Sequence, residues 1–230
     1  MLQGDEFIGA VKNYRNDFHS VVPYLPNKDT LLHMDFTASN GELNDEILKD
    51  TYLFSQYIKN KLETAGATYG VGGYNEHRTI YSRSAVFDAV EEPRRWHLGL
   101  DIWGQEGTPV YAPLEGVVHS FAFNNAFGDY GATLILEHQV AGIIFHTLYG
   151  HLSLHSIEDK REGQTVEKGE WIASFGKPEE NGQWPPHLHF QIILDMGEGK
   201  GDYPGVCSLS DRDAYLLNCP DPYFLSGLFS

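Results

Sequence analysis

Eight of the eleven histidines fall between His97 and His189, less than half of the chain. Two short segments give this clustering chemical meaning. In Trp96-His-Leu-Gly-Leu-Asp-Ile102, apolar and polar positions alternate. Leu98, Leu100 and Ile102 share one face of an extended chain, and His97, Gly99 and Asp101 share the other. In a straight strand the α-carbons of His97 and Asp101 would stand roughly 13 Å apart. Joint binding of one ion therefore requires a bend, which Gly99 permits. In Pro185-Pro-His-Leu-His-Phe-Gln-Ile192, His187, His189 and Gln191 lie opposite Leu188, Phe190 and Ile192. Histidines at that spacing are roughly 7 Å apart on a strand and can reach one polar cleft. Tyr149-Gly-His-Leu152 adds His151 at the end of an apolar run. His97, Asp101 and one of His187 or His189 make a three-donor set suited to zinc, with a fourth position open to water. The remaining histidines could move protons or hold an oxyanion. Taken singly, each segment has a plainer explanation: a surface turn for His151, and hydrogen bonding across a sheet for His187 and His189.

These side chains need a scaffold that brings distant segments together. Beyond residue 95 short apolar or alternating runs recur, at 98–102, 117–123, 132–136, 143–148, 171–175 and 188–194, separated by Gly, Pro, Asn and Asp. The pattern predicts a mostly β fold, an antiparallel β-sandwich or barrel-like core, with an N-terminal α/β extension. In that extension Phe7, Ile8 and Val11 start a short amphipathic helix, and Leu31 to Phe36 form a short strand. Ile47, Leu48, Tyr52, Phe54, Ile58 and Leu62 recur at helical spacing. They predict one long helix over 44–64, capped by Asn44 or Asp45 and stopped by Gly66. A boundary near residue 90 divides an N-terminal helical and extended lobe, 1–90, from a β domain, 91–230, whose C-terminal tail covers it. The glycine-rich stretch Tyr69–Arg78 is either a turn between elements or a loop presenting Tyr74, Glu76 or Arg78 to a cleft. Glu76, Arg78 and Arg83 are candidates for substrate contact or for salt bridges. His138 and His146 either orient ligands or pack within strands. Trp103, Trp171 and Trp184 either line a groove or fill the core.

With 32 acidic against 16 basic residues, the formal net charge is −16. That argues against a broad nucleic-acid footprint and against attraction to anionic membranes. The N-terminus lacks a basic region followed by an apolar run, and no stretch is long and apolar enough to span a bilayer. A cytoplasmic location is the expectation, and a secreted or periplasmic one if a leader has been trimmed. The two cysteines, Cys207 and Cys219, are expected to be reduced and packed, with a disulfide between them as the alternative.

The ordered series His97-Leu-Gly-Leu-Asp101, Gly107-Thr-Pro-Val-Tyr-Ala-Pro113, Leu148-Tyr-Gly-His-Leu152, Glu162-Gly-Gln-Thr-Val-Glu-Lys-Gly169 and His187-Leu-His-Phe190 resembles the LytM/lysostaphin-type zinc metallopeptidases, peptidase family M23. The resemblance runs from about residue 94 to 194. It implies Zn2+ held by His97, Asp101 and His189, with His151 and His187 as catalytic histidines. It also implies hydrolysis of an amide bond in a peptide or cell-wall-like substrate. Asn181–His189 and Cys219-Pro-Asp-Pro222 resemble the variant M23-like domains fused to aminotransferases, which makes a small or modified peptide a second substrate class. The residues before the last motif, Gly176–Pro186, are bulkier and richer in proline than the small-residue stretch usual in the family. The non-enzymatic reading is a zinc-stabilised binding module.

Overall fold

Alternation over residues 187–193 puts Leu188, Phe190 and Ile192 on one face of a strand and His187, His189 and Gln191 on the other. All seven residues of that strand are buried. A strand buried on both faces must lie inside a sheet covered on both sides. The structure, a computed structural model, describes residues 4–87 and 92–228. Its elements in chain order are α1 (Gly4–Val11), β1 (Leu31–Met34), α2 (Asp45–Lys49), α3 (Thr51–Ala65), β2 (Tyr69–Gly72), β3 (Trp96–His97), β4 (Leu100–Trp103) and β5 (Pro109–Tyr111). They continue with β6 (Gly116–Asn124), β7 (Gly131–Val140), β8 (Ile143–Leu152), α4 (His155–Glu158), β9 (Thr165–Val166), β10 (Trp171–Ser174), β11 (His187–Ile193), β12 (Val206–Cys207) and α5 (Arg212–Asn218).

Eight strands form one sheet in the order β1-β2-β4-β11-β8-β7-β6-β9. β1 and β2 run parallel, and the other neighbours in this sheet are antiparallel. β5 pairs with β10, and β3 with β12, in two separate ribbons. This corrects the expectation of a mostly β, sandwich- or barrel-like core. The fold is mixed α/β, and its main sheet is open, with β1 and β9 as its two edges. Period-two alternation specifies which side chains share a face, but not which strand lies beside which. It therefore gave no sign that β1 and β2 would extend the same sheet through β4. The boundary expected near residue 90 falls within residues 88–91, outside the described residues.

The predicted helix over 44–64 is two helices. Asp50 has extended backbone between them, and its side chain accepts from the N–H groups of Tyr52 and Leu53, capping α3. Gly66, at φ +60°, ends α3 as expected. α3 buries Phe54 and Ile58 against Phe36, Trp103 and Trp184. Burial of a phenylalanine such as Phe54 stabilises the fold by roughly 2–3 kcal/mol. On the other face of the sheet, Leu100, Ile102, Tyr149, Leu188 and Phe190 pack with Phe7 and Val11 of α1. Cys207 and Cys219 are buried, unpaired, and packed with Leu98 and Ile193. Among the described residues no helix is long and apolar enough to cross a membrane.

Candidate metal centre

Strand register explains how residues far apart in sequence meet. His189 in β11 sits opposite Asp101 in β4 on one side and opposite Gly150 in β8 on the other. The expected bend in the His97–Asp101 segment is present. The chain leaves the β3–β12 ribbon and enters the main sheet across Leu98-Gly99, which brings His97 back over Asp101. Gly99 is needed for close approach as well, because a Cβ there would lie 2.5 Å from the His189 ring.

Three donor atoms converge. His97 Nε2 is 3.0 Å from His189 Nδ1 and 3.2 Å from Asp101 Oδ1, and His189 Nδ1 is 3.1 Å from the same oxygen. Donors bound tetrahedrally at about 2.0–2.1 Å would stand about 3.3 Å apart. The outer ring nitrogens settle the tautomers. His97 Nδ1–H donates to Gly73 O (3.0 Å) and His189 Nε2–H donates to Gln191 Oε1 (2.8 Å). Gln191 is itself oriented by donating Nε2–H to Pro204 O (3.1 Å). Both inner nitrogens therefore present lone pairs to each other and to a carboxylate oxygen, an arrangement that a cation between them would stabilise. Among the described residues, this is the one group of His, Cys, Asp and Glu side chains placed to hold a metal ion. Burial pushes the His97 pKa down to about 4 and is reinforced by Arg78. Burial pushes Asp101 up, but His97 and Arg78 hold its carboxyl well below the usual range. A neutral His97 imidazole and an ionised Asp101 carboxylate are the forms that bind a divalent cation. The donor set thus fits zinc.

His151 and His187 stand next to this triangle with their rings stacked at 4.1 Å. His151 occupies a left-handed backbone conformation, φ +63°. The β7–β8 ladder slips there: Leu134 faces Tyr149, but Ala132 faces Leu152, so β8 carries an extra residue. Such a bulge re-aims side chains. It leaves Tyr149 and Leu152 in the apolar core and turns His151 toward His187 and His189. His151 Nδ1–H donates to Asn181 O and His187 Nδ1–H to Pro185 O, each at 2.8 Å. Both Nε2 atoms are left as acceptors. His187 also stacks on Trp103 at 3.8 Å. Burial lowers the pKa of His187 to about 4 and that of His151 well below the usual histidine value.

A cavity of about 170 Å³ opens onto Asp101, His151, His187 and His189. Tyr81 and Phe87 wall it from the N-terminal side, and Tyr130 and Trp184 from the other. Of the tryptophans considered from sequence, Trp103 and Trp184 line this cavity, whereas Trp171 is 65% exposed elsewhere. Glu76 and Arg78 are not at the cavity wall. Arg78 is buried behind Asp101 and bonded to it, with Glu76 as its second partner. Arg83 is enclosed by the rings of Phe54, Phe127 and Trp184 and donates to Thr51 Oγ1 (2.9 Å). Tyr74 donates its hydroxyl to Cys219 O. His138 bonds Glu115 O and Thr147 within the strands, and His146 faces Glu137 and His119. The role of Gln191 was open to sequence reading through its shared face with His189. The carbonyls of Gly73, Asn181 and Pro185 carried no sequence signal, since any residue supplies one.

Known proteins share sequence with this part of the chain. The model of peptidase family M23 matches residues 95–200. An uncharacterised metalloprotease of Haemophilus influenzae is 38% identical over 131 residues, covering 57% of this chain and 25% of that protein. The DD-carboxypeptidase/endopeptidase Mpg of Neisseria meningitidis serogroup B is 34% identical over 129 residues, covering 54% of this chain and 27% of its own. The chain thus spans about a quarter of the length of these curated relatives. Among solved structures, a zinc-containing peptidase from Vibrio cholerae aligns with a TM-score of 0.34 and 31% identity, over 44% of this chain and 28% of that one. The segment that matches the peptidase family M23 model, residues 95–200, contains the donor triangle and both stacked histidines, and over that segment the chain is similar to the family.

Proposed function

We propose that the chain hydrolyses an amide bond in a short peptide, using zinc held by His97, Asp101 and His189. The observation that carries this reading is the convergence of two imidazole lone pairs and one carboxylate oxygen within 3.2 Å, beside two further histidines with free Nε2 atoms. Zinc at that position supplies a Lewis acid for the scissile carbonyl and the attacking water. His151 and His187 are held by Asn181 O and Pro185 O in the tautomer that accepts a proton at Nε2. One takes the proton of the attacking water and returns it to the leaving amine. The other accepts a hydrogen bond from the attacking water at its Nε2 and so fixes the direction of attack. Trp103 fixes the His187 ring plane by stacking.

The cavity favours a compact substrate. Tyr81 and Phe87, from the residues that precede β3, line the cavity, and its volume of about 170 Å³ supports a short peptide beside the metal as the first substrate to try. The name of the Neisseria relative, a DD-carboxypeptidase/endopeptidase, makes peptides containing D-amino acids the first class to try. The test is mass spectrometry of short L- and D-containing peptides incubated with zinc-loaded protein. Cleavage that a chelator stops and that His187→Ala abolishes is expected. Tight peptide binding without cleavage by the zinc-loaded wild type would instead establish a binding module.

A further inference from the structure

Only one oxygen of Asp101 faces the donor triangle. Oδ1 lies 3.2 Å from His97 Nε2 and 3.1 Å from His189 Nδ1, while Oδ2 accepts from Arg78 Nη1. The guanidinium is fully buried, and each of its three nitrogens has a partner, Nη1–H also reaching the Tyr81 hydroxyl at 3.3 Å. Nε–H donates to Glu76 Oε2 at 2.7 Å, and Nη2–H reaches Gly73 O at 3.4 Å. Gly73 O is also the acceptor that fixes His97 Nδ1–H. The same short segment therefore braces two of the three donors. Room for the guanidinium is built into β2: Gly72 is in register with Asp101, and a Cβ there would come 2.6 Å from Arg78 Nη2. The Phe36 ring lies 5.2 Å from the guanidinium carbon on another side.

We propose that Arg78 is a positioning residue of the metal centre, occupying Asp101 Oδ2 so that Asp101 binds the ion through Oδ1 alone. A carboxylate bound through both oxygens would take up the coordination position needed by water or substrate. The guanidinium fork suits this task because it holds one oxygen directionally while other donors anchor it elsewhere. Glu76 balances the buried positive charge, without which the cation would weaken the site for a metal. Arg78, Glu76, Gly73 and Gly72 all precede the family-matched residues 95–200, so the centre is completed from outside that segment.

The proposal rests on the zinc reading, and its test separates the two. Arg78→Lys keeps the unit charge but loses the fork, so its effect reports geometry rather than net charge. Circular dichroism of the metal-free variant checks folding. Zinc affinity, measured by competition with a chromophoric chelator, is expected to fall about 10–100-fold. The visible absorption of the cobalt-substituted variant is expected to weaken, as a second carboxylate oxygen raises the coordination number. An affinity and a cobalt spectrum equal to those of the wild type would overturn the proposal while leaving the zinc site standing. A crystal structure of the zinc-loaded wild type decides the question without any variant. Asp101 bound through Oδ1 with Arg78 on Oδ2 is expected, and both oxygens on the metal would overturn it. A wild type that takes up no zinc would overturn the zinc reading and this proposal with it.

Discussion

His151 combines a buried imidazole with a left-handed backbone, φ +63°, that non-glycine residues adopt at a cost of roughly 1–2 kcal/mol. Strain of this kind persists where the surroundings over-determine it and a site needs the side chain. Two substitutions separate these contributions. His151→Ala and His151→Gly should both lower turnover by about 10²–10⁴-fold, the usual worth of a positioned acid or base. The glycine variant should be more stable than the alanine variant by about 1 kcal/mol, read from urea midpoints, because glycine carries no penalty at positive φ. Equal midpoints would mean that the backbone relaxes when the imidazole is removed. The bulge also marks where reading by alternation ends. Counting from Ile143 by twos places His151 with Tyr149, on the apolar face, and only the extra residue in β8 reverses this. Asp101, His187, His189 and Gln191 follow the alternation within β4 and β11, but His97 lies in the separate β3–β12 ribbon and Leu98 packs with Cys207 and Ile193 instead of with Leu100 and Ile102. For Arg78 the sequence leaves substrate contact and salt bridges open; the structure forms the salt bridges, to Glu76 and Asp101, and nothing in the residue order pointed to Asp101 as the partner.

Two devices belong to individual elements. α3 carries Phe54 and Ile58 into the core under Trp103 and Trp184, and its first turn depends on Asp50 accepting from Tyr52 and Leu53. Asp50→Ala should cost about 1 kcal/mol in stability, measured by chemical denaturation. It leaves the metal donors in place, so zinc stoichiometry should be unchanged. The helical periodicity of residues 47–62 was legible, but the interruption was not, since Asp50 is as compatible with a helix surface as with a cap. The second device is His138, buried on β7, with Nδ1–H on Glu115 O and Nε2 beside Thr147 of β8. Burial, with a small addition from His146, lowers its pKa from 6.5 to about 4. The unfolded chain therefore takes up this proton first as the pH falls. The stability that His138 confers is intact above about pH 6.5 and is lost between there and about pH 4, in total roughly 3 kcal/mol. Unfolding midpoints across that range should fall in the wild type and fall less steeply in His138→Gln. Parallel slopes would remove His138 from the account.

At the scale of the whole molecule, the family-matched residues do not hold the site by themselves. β2 pairs with β4 beside Asp101, Phe36 and Phe54 pack on Trp103, and Tyr81 and Phe87 wall the cavity. A fragment of residues 95–200 would expose these contacts and lose the braces on His97 and Asp101. It should give a poorly dispersed amide spectrum and weak zinc binding, whereas a fragment with native dispersion and affinity would show that the earlier residues are dispensable. Such joint construction was hidden from sequence reading, because neighbours in a sheet are chosen by long-range pairing and not by local pattern. Composition spoke only to coarse matters: a net charge of −16 disfavours polyanionic partners but says nothing about one ion site. The central claim is that His97, Asp101 and His189 hold zinc, and the most direct measurement is elemental analysis of protein purified without added metal, beside His189→Ala. The account predicts about one zinc per wild-type chain, lost in the variant. A folded wild type that binds no zinc even after reconstitution would contradict it.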